Sequence, residues 1–263
     1  MLRLGGTASS SHMTVFKGLE KLFRDQGIDM DYVLYSDDQA VVDAFVAGDI
    51  DLAWNGPLNY VRIKAQLDEP CRVIAMRDVD LNFITHFITQ PDSDITTVED
   101  LPGKSFAFGN RGSVEAGLLA HYFLKQAGIN PRRDLSLCTF REEREASSLS
   151  DQRDVVQRVR SGEYDAGAVS HRTLETLAEE GTLPPGSLRT FWSSPGYSHC
   201  CFTAQGNMDT ALYQQVADAF LAVDPRDPLG KEVLDAEACK IFVPGIPEGW
   251  ELLEQAAQEE GLI

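Results

Sequence analysis

The segment Gly109–Gly117 carries the residue types best suited to holding a small anion. It contains Arg111, Gly112, Ser113 and Glu115. The segment follows an apolar run and opens an amphipathic one, so its unpaired backbone N–H groups are expected to point toward a ligand. Its glycine spacing matches neither a dinucleotide fingerprint nor a P-loop, and it therefore specifies no nucleotide. The alternative is that the glycines only form a tight turn and that Ser113 caps the helix.

Two charged residues of this segment favour different ligands. Arg111 is either a bidentate clamp for an anionic group or a solvated loop charge. Glu115 is stabilised by the helix dipole near a helix N-terminus, but it would repel a bound anion. Together the two residues suit a zwitterion or a neutral polar compound. The sequence therefore predicts weak or no binding of phosphate and simple alkylphosphonates.

A second set of candidate ligand contacts lies in the first part of the chain. Asn55 follows the apolar strand pattern that ends at Trp54, and Gly56 and Pro57 come next. Trp54 is expected in the core, whereas Asn55 and Gly56 are displayed at the strand end. Tyr60, one turn into the following helix, and Tyr35, at the end of the preceding strand, are expected at the same edge of the sheet.

The run His199-Cys200-Cys201 is the third chemically suggestive feature, and His199 is also a candidate ligand contact. Strand alternation predicts His199 and Cys201 on one face and Cys200 on the other. A cysteine near a histidine can act as a nucleophile or a metal ligand, but two neighbouring cysteines in a strand can also be simple packing. The chain has no Ser-His-Asp order, no HExxH and no CxxC motif, and its five cysteines lack zinc spacing. No enzyme class, metal or cofactor is therefore predicted.

An internal repeat indicates which elements position these residues. The aligned pairs, which match without a gap, are Val41/Val155, Gly48/Gly162 and Asp51/Asp165. Each stretch is a helix pattern, a glycine and a buried strand, so the chain is predicted to form two similar α/β lobes with a ligand cleft. The alternative is one continuous sheet. By the repeat, Ser170 and His171 lie at the ligand edge of the second lobe, as Asn55 does in the first.

The predicted architecture is α/β with two lobes, two crossing strands and a central cleft. The runs Asn82–Thr89 and Tyr197–Thr203 are the expected crossings. The predicted boundaries are 1–85 for the first part of lobe 1, 86–195 for lobe 2 and 196–263 for the return and the C-terminal helices.

The composition limits the classes of partner that the protein is expected to bind. The formal net charge of −18 repels phosphate backbones and anionic lipid, so nucleic acid and membrane surfaces are poor partners. No apolar stretch approaches about 18 residues, so no membrane insertion is predicted. We expect a cytoplasmic protein if Met1 is the native start, and a periplasmic one if a signal peptide has been removed. Five thiols favour a reducing compartment.

Several of these segments resemble the phosphonate-binding type of periplasmic substrate-binding protein, in the type II, transferrin-like two-lobe class. The similar segments are 51–61, 103–109 with the following loop, and 122–129. The resemblance covers nearly the whole chain and implies two lobes that close on a small-molecule ligand, with an ABC permease as a possible partner. It also implies that the loop Gly109–Gly117 presents hydroxyls to a phosphonate or phosphate, with Tyr35 and the Asn55 region contributing from the other lobe.

The chain departs from the family pattern at one position that bears on ligand charge. Where the family has Ser-Thr-Ser, this chain has Ser113-Val114-Glu115. It is most similar to a subgroup without an export signal whose return strand carries a Pro-x-x-x-His-Cys pattern, matched here by Pro195 to Cys200. The alternative function is a cytoplasmic enzyme of the dehydratase or lyase kind on the same fold, with His199, Cys200, Cys201, His171 and Glu115 as acid-base or nucleophilic residues.

Overall fold

The structure is a computed structural model that describes residues 1–67 and 71–263 as a mixed α/β chain. The strands are β1 (Leu2–Thr7), β2 (Met30–Tyr35), β3 (Leu52–Asn55), β4 (Arg72–Arg77), β5 (Thr85–Thr89), β6 (Ser105–Ala107), β7 (Leu137–Thr139), β8 (Ala166–Ser170), β9 (Arg189–Ser193), β10 (Cys201–Ala204) and β11 (Phe242–Pro244). The α-helices are α1 (Ser10–Asp25), α2 (Asp38–Val46), α3 (Pro57–Gln66), α4 (Leu119–Gln126), α5 (Pro131–Asp134), α6 (Asp151–Arg160), α7 (His171–Glu179), α8 (Thr210–Leu221), α9 (Pro228–Ala236) and α10 (Glu251–Glu259). Shorter helical turns lie at Asp78–Asp80, Val98–Asp100, Arg141–Glu143 and, as a π-helical turn, Val114–Leu118.

The chain divides into two compact units. Unit 1 comprises Met1–Asn82, Tyr197–Ala257 and Leu262–Ile263, and unit 2 comprises Phe83–Gly196 and Gln258–Gly261. Each unit has its own sheet, so the prediction of an α/β chain with two sheets is confirmed and the alternative of one continuous sheet is wrong.

Unit 1 is built on a six-stranded sheet in the order β11-β4-β10-β3-β1-β2. Strand β1 pairs in parallel with β2 and β3, whereas β10 runs antiparallel to both β3 and β4. One of its apolar clusters combines side chains of α1, such as Phe16 and Phe23, with Trp54, Phe202 and Phe220. Because the antiparallel β10 begins where β3 ends, Cys201 lies opposite Asn55 at one edge of this sheet.

Unit 2 is built on a five-stranded sheet in the order β7-β6-β8-β5-β9. Strand β6 is parallel to β7 and β8, and β5 runs antiparallel to β8. Two apolar clusters cover this sheet, one around Phe106 and Phe108 and one around Val155 and Val159.

The repeat has a structural basis that the aligned residues share. Gly48 and Gly162 follow α2 and α6 with φ of 74° and 78°, a left-handed conformation that glycine adopts without a Cβ penalty. The Asp51 carboxylate accepts a hydrogen bond from the backbone N–H of Arg3 in β1 at 2.8 Å. In unit 2 the Asp165 carboxylate accepts from the N–H of Ser105 in β6 at 2.7 Å. The repeated aspartate therefore ties the start of one strand to its neighbour in each unit.

Candidate functional site

In unit 2, three sheet strands bring polar residues to a single edge. Strands β6 and β8 end there, and the antiparallel β5 begins there, so that Thr85 lies opposite Ser170. The Thr85 hydroxyl donates to the backbone carbonyl of Glu115 at 3.2 Å. This contact joins the segment Gly109–Gly117 to the sheet edge.

The segment Gly109–Gly117 leads into a π-helical turn rather than directly into an α-helix. The turn spans Val114–Leu118, and α4 continues from it. A Cβ atom at position 117 would lie 2.3 Å from the carbonyl oxygen of Asn110, so only glycine fits there. A Cβ at Gly109 would lie 2.7 Å from both Ala116 Cβ and an Asp151 carboxylate oxygen. The wide turn and the glycines therefore pack the loop tightly against the helix and against Asp151.

Ser113 is the centre of the polar contacts in this loop. Its hydroxyl accepts a hydrogen bond from the Ala116 N–H at 3.3 Å, which is the helix cap of the alternative interpretation of this segment. The same hydroxyl donates to the Glu115 carboxylate at 3.1 Å. The Asp151 carboxylate, from the first turn of α6, accepts from the N–H of Asn110 at 2.5 Å. Burial raises the pKa of Asp151, and the nearby Glu115 charge adds to that rise, although hydrogen bonds from Asn110 and Ser113 oppose it.

Arg111 contacts protein groups in this structure. Its guanidinium pairs with the Glu143 carboxylate and lies over the Phe140 ring, with 4.1 Å between Cζ and the ring centroid. Its backbone N–H donates to Glu142 at 2.9 Å. Gly112 has only the Asn110 side chain within 4 Å of its would-be Cβ, so its neighbourhood is open. The Arg111 side chain is about half exposed and is oriented by these acidic and aromatic partners.

Ser170 and His171 lie at the β8–α7 junction, as the repeat predicts. Ser170 is buried and caps α7 by accepting from the Thr173 N–H at 3.1 Å. Gln152 Oε1 accepts from the Ser170 N–H at 2.6 Å and from the Thr173 hydroxyl at 2.8 Å. The His171 Nδ1 accepts from the Ile84 N–H at 3.2 Å, and its ring packs edge-on against Phe83. These bonds fix both side chains.

The corresponding junction in unit 1 is β3–α3. Asn55 is fully buried and its amide nitrogen donates to the Thr203 hydroxyl at 2.7 Å. Its oxygen Oδ1 is buried and has no hydrogen-bond partner among the residues that the structure describes. Gly56 occupies the cap position of α3 with no side-chain hydrogen bond, and Pro57 follows at the first helical position. A Cβ at Gly56 would meet no atom within 4 Å, so a ligand can approach the chain there, and the orphaned amide oxygen of Asn55 can be satisfied by a ligand or a water molecule.

The two predicted tyrosines of unit 1 differ in environment. Tyr60 is almost fully buried against the Trp250 ring, with 4.3 Å between centroids, and burial raises its pKa strongly. Tyr35 ends β2 and is partly exposed, and burial with the nearby Asp49 charge raises its pKa. Its ring lies close to Gly5, where a Cβ would be 3.3 Å from Tyr35 Cε2.

The repeat predicts that the loop after Gly5 faces the ligand, but it singles out no residue of the polar start of α1. Ser9 caps this helix by accepting from the His12 N–H at 3.0 Å, and exposed serines also occupy positions 10 and 11. His12 Nδ1 lies 2.6 Å from the Thr7 carbonyl oxygen, and its Nε2 accepts from the Trp54 indole N–H at 2.9 Å. The triple serine was the signal that could have identified this position.

His199 does not lie as strand alternation predicts. Strand β10 begins only at Cys201, so His199 and Cys200 precede the regular pleat. Cys200 Sγ lies 3.1 Å from His199 Nδ1, which corrects the prediction that these two side chains are on opposite faces. The same imidazole nitrogen lies 3.0 Å from the buried Asp80 carboxylate. Cys201 is fully buried, and burial raises its thiol pKa well above the usual value.

Asp80 is a buried residue of this group that no sequence pattern singles out. Arg77 Nε and Nη2 donate to its two oxygens at 2.6 and 2.8 Å. Arg77 Nη1 also lies 3.4 Å from Glu237, a buried residue in α9's C-terminal cap. Burial raises the pKa of Glu237 to about 7, against the opposing effect of Arg77. Burial also raises the pKa of Asp80, but the hydrogen bonds from Arg77 and His199 outweigh it and hold that pKa below its usual value.

Comparison with protein families shows which family this chain matches. Residues 12–249 match the family described as ABC transporter, phosphonate, periplasmic substrate-binding protein. The chain belongs to this family. The match covers most of the chain, and it supports a solute-binding role rather than the enzyme alternative.

Individual relatives agree with the family match. A probable ABC transporter phosphite-binding protein, PhnD1 of Prochlorococcus marinus (strain MIT 9301), is 24% identical over 91% of this chain and 82% of its own length. The phosphate-import protein PhnD of Mycolicibacterium smegmatis is 26% identical over 88% of this chain and 73% of its own length.

Solved structures show the same fold. The structure of PhnD1 in complex with methylphosphonate aligns with a TM-score of 0.71 at 24% identity, covering 100% of this chain and 98% of that one. XAC2383 from Xanthomonas citri, bound to chloride, aligns with a TM-score of 0.74 at 19% identity, covering 100% and 99%. Among the described residues, no helix combines the length and the apolar character needed to cross a bilayer.

Proposed function

We propose that this chain binds a small solute that carries a cationic or hydrogen-bond-donating group, and that an ABC permease receives the solute from it. The observation that carries the ligand class is the hydrogen bond from the Ser113 hydroxyl to the Glu115 carboxylate at 3.1 Å. The family membership carries the transport role.

A hydroxyl has a single proton, and this limits what Ser113 can offer a ligand. The proton of Ser113 is directed to a carboxylate, and one of its lone pairs is taken by the Ala116 N–H. A phosphonate oxygen needs donors, so a serine in this arrangement is a poor partner for it. A ligand ammonium or N–H group, by contrast, can donate directly to Glu115.

The second carboxylate strengthens this argument. Asp151 adds to the negative potential at the start of the π-helical turn, and its pKa is raised by burial and by the Glu115 charge. Two carboxylates close to one helix start oppose an incoming dianion, because like charges at short range repel in a partly desolvated site. A cation relieves the repulsion between them.

The relatives are named for anionic ligands, in contrast to the solute proposed for this chain. They are a phosphite-binding protein, whose structure holds methylphosphonate, and a phosphate-import protein. We propose that this chain keeps their transport role and differs in ligand charge, with a zwitterion or a neutral polar compound as its solute.

Calorimetry on the wild type tests the ligand class. The probes are inorganic phosphate, methylphosphonate and 2-aminoethylphosphonate, because the last two share a phosphonate and only one carries an ammonium group. We expect weak or no binding of the first two and measurable binding of the third. Binding of methylphosphonate as tight as, or tighter than, that of its amino analogue would contradict the proposal.

The contribution of unit 1 remains a prediction. We propose that Asn55, Gly56 and Tyr35 contact the solute, since Asn55 Oδ1 is buried without a partner in the described part of the chain and the space beside Gly56 Cα is open. Tyr60 and His199 are less suited to direct contact, because the Tyr60 ring packs against Trp250 and the His199 imidazole already contacts Asp80 and Cys200. Replacing Asn55 by Leu removes the amide at similar volume and should weaken solute binding, as the same calorimetry would measure.

The compartment is also part of the proposal. The family description names periplasmic proteins, so we propose that the protein works in the periplasm. Cell fractionation of the native host, followed by immunodetection against marker proteins of known compartment, tests it. Exclusive recovery with cytoplasmic markers would contradict it.

A further inference from the structure

Unit 1 contains three side chains whose donor atoms lie within reach of a single ion. Asp80, His199 and Cys200 each offer one such atom, a carboxylate oxygen, an imidazole nitrogen and a thiol sulfur, and these atoms lie within 4.8 Å of one another. His199 Nδ1 is 3.0 Å from Asp80 Oδ1 and 3.1 Å from Cys200 Sγ. Two of the three residues are buried, and Cys200 is partly exposed, which leaves a route for entry.

Two buried carboxyl groups beside these side chains share one guanidinium. Arg77 contacts both Asp80 and Glu237. Glu237 Oε1 is buried and has no hydrogen-bond partner within the described ranges. A buried carboxylate is unfavourable unless a cation or a proton offsets its charge.

The donor set favours one class of cation. Carboxylate, imidazole and thiolate together are typical ligands of Zn²⁺ and related borderline-soft ions, whereas Mg²⁺ and Ca²⁺ prefer oxygen alone. Tetrahedral Zn²⁺ with bonds of about 2.0–2.3 Å places neighbouring donor atoms roughly 3.4–3.6 Å apart. The observed separations of 3.0 and 3.1 Å are shorter by about half an ångström, and the third pair lies within 4.8 Å, so the side chains must adjust to admit the ion.

We propose that Asp80, His199 and Cys200 form a binding site for a thiophilic divalent cation such as Zn²⁺. Arg77 donates to both oxygens of the Asp80 carboxylate and fixes its orientation, as hydrogen-bonding groups around metal ligands do. Three protein ligands leave a fourth position open to water or to a small donor. This site is independent of the solute class proposed above, because none of its residues belongs to the loop around Ser113.

The competing explanation is a metal-free hydrogen-bonded cluster. In that case the Cys200 thiol and the Asp80 carboxylate are simply partners of one imidazole. The two explanations differ in whether Cys200 becomes a thiolate bound to an added cation. They also differ in whether removal of His199 changes the affinity for that cation.

Cobalt titration of the reduced full-length chain separates them. Co²⁺ replaces Zn²⁺ in such sites and gives a thiolate-to-metal charge-transfer band in the near ultraviolet. We expect this band to saturate at an equimolar amount of Co²⁺ and to be bleached by added Zn²⁺. Wild-type protein that gives no band would overturn the proposal.

Variants identify the ligands. Cys200→Ser should lose the band, whereas Cys138→Ser, which removes a thiol from unit 2, should retain it. His199→Gln keeps the thiol and should weaken Co²⁺ binding by about tenfold or more, since even changes outside the ligand sphere have effects of that size. It therefore provides the test if Cys200→Ser does not fold, as judged by circular dichroism. A band that persists in Cys200→Ser, or an unchanged affinity in His199→Gln, would contradict the assignment.

Discussion

In each unit a parallel strand, β1 or β6, leads to a helical segment capped by a serine, and the two segments then differ in charge. In unit 1, Ser9 caps α1, and exposed serines follow it with no acidic residue in the first turn. In unit 2, Ser113 caps the π-helical turn, and Glu115 lies in its first turn. Counted from the cap, Ser11 and Glu115 are equivalent. The two helix starts thus share a backbone role and have opposite preferences for an anion.

The comparison also explains why the unit 2 segment needs glycine. Counted from the cap again, Gly117 corresponds to Met13, whose side chain is exposed on α1. In unit 2 the loop carbonyl of Asn110 occupies the space that a side chain would fill. The acidic helix start is therefore held by close backbone packing that the serine-rich start of unit 1 does not require.

Gly117→Ala should have the largest effect, because it tests this packing directly. The added Cβ would lie 2.3 Å from the Asn110 carbonyl oxygen, and neither backbone segment can move freely. We expect the free energy of unfolding to fall by about 1–3 kcal/mol, as for overpacked sites in general. Urea denaturation measures it.

Gly112→Ala is the matched control in the same loop, since its Cβ would meet no atom closer than 3.5 Å. It should change stability by less than about 0.5 kcal/mol. Equal losses in the two variants would show that loop flexibility, and not the contact at Gly117, sets the stability.

Glu115→Ser should convert the unit 2 helix start toward that of unit 1. Removal of the carboxylate eliminates a like charge near a bound anion and one of the two carboxylates that compete for the Ser113 proton. We expect methylphosphonate to bind about 1 kcal/mol more tightly or better, a change of roughly fivefold or more. Calorimetry on wild type and variant measures it. Tight methylphosphonate binding already in the wild type would mean that Glu115 points away from the ligand.

The two serine caps should contribute similar amounts to the free energy of unfolding. Ser9→Ala and Ser113→Ala each remove the acceptor of a first-turn N–H, and each should lower the free energy of unfolding by about 1 kcal/mol. Ser113→Ala also removes a hydrogen bond to acidic groups, so its loss should be the larger at neutral pH. A larger loss in Ser9→Ala would contradict the view that Ser113 moderates the carboxylates.

The fold was accessible from the sequence because its signals are local. The α/β pattern and the glycines at 48 and 162 depend on neighbours within a few residues, and the two-sheet α/β fold is confirmed. The Ser113 cap, which is the alternative to an anion site, is equally local and is also observed. The helical turn after Ile95 has a capping box formed by Thr97 and Asp100.

The site was only partly accessible because its contacts are distant in sequence. Asp151 reaches the loop from 41 residues away, and Asp80 reaches His199 from 119. The π-helical turn has no sequence pattern of its own, and the pairing of Arg111 with Glu143 depends on how a second loop folds. Strand alternation failed at Cys200 because the strand starts one residue later.

The pH dependence of stability should show the smallest effect, and its sign follows from Asp151. The folded protein raises the pKa of this carboxyl above its ordinary value of 3.8 through burial and the Glu115 charge. The folded state therefore holds the proton more tightly than the unfolded chain does. The resulting stabilisation is complete below pH 3.8 and is lost as the pH rises through the raised pKa. The Asp151→Asn variant has no ionisable group at this position, so its stability lacks this pH-dependent contribution. We expect the stability of the wild type relative to Asp151→Asn to decrease as the pH is raised from about 4 toward neutrality, as urea denaturation at a series of pH values would measure.

The same series on Ser113→Ala sharpens the comparison, because removal of the opposing hydrogen bond should move the decrease to higher pH. A difference between wild type and Asp151→Asn that stays constant across this range would mean that Asp151 titrates alike in both states, and that Glu115 is the only carboxylate that distinguishes the two helix starts.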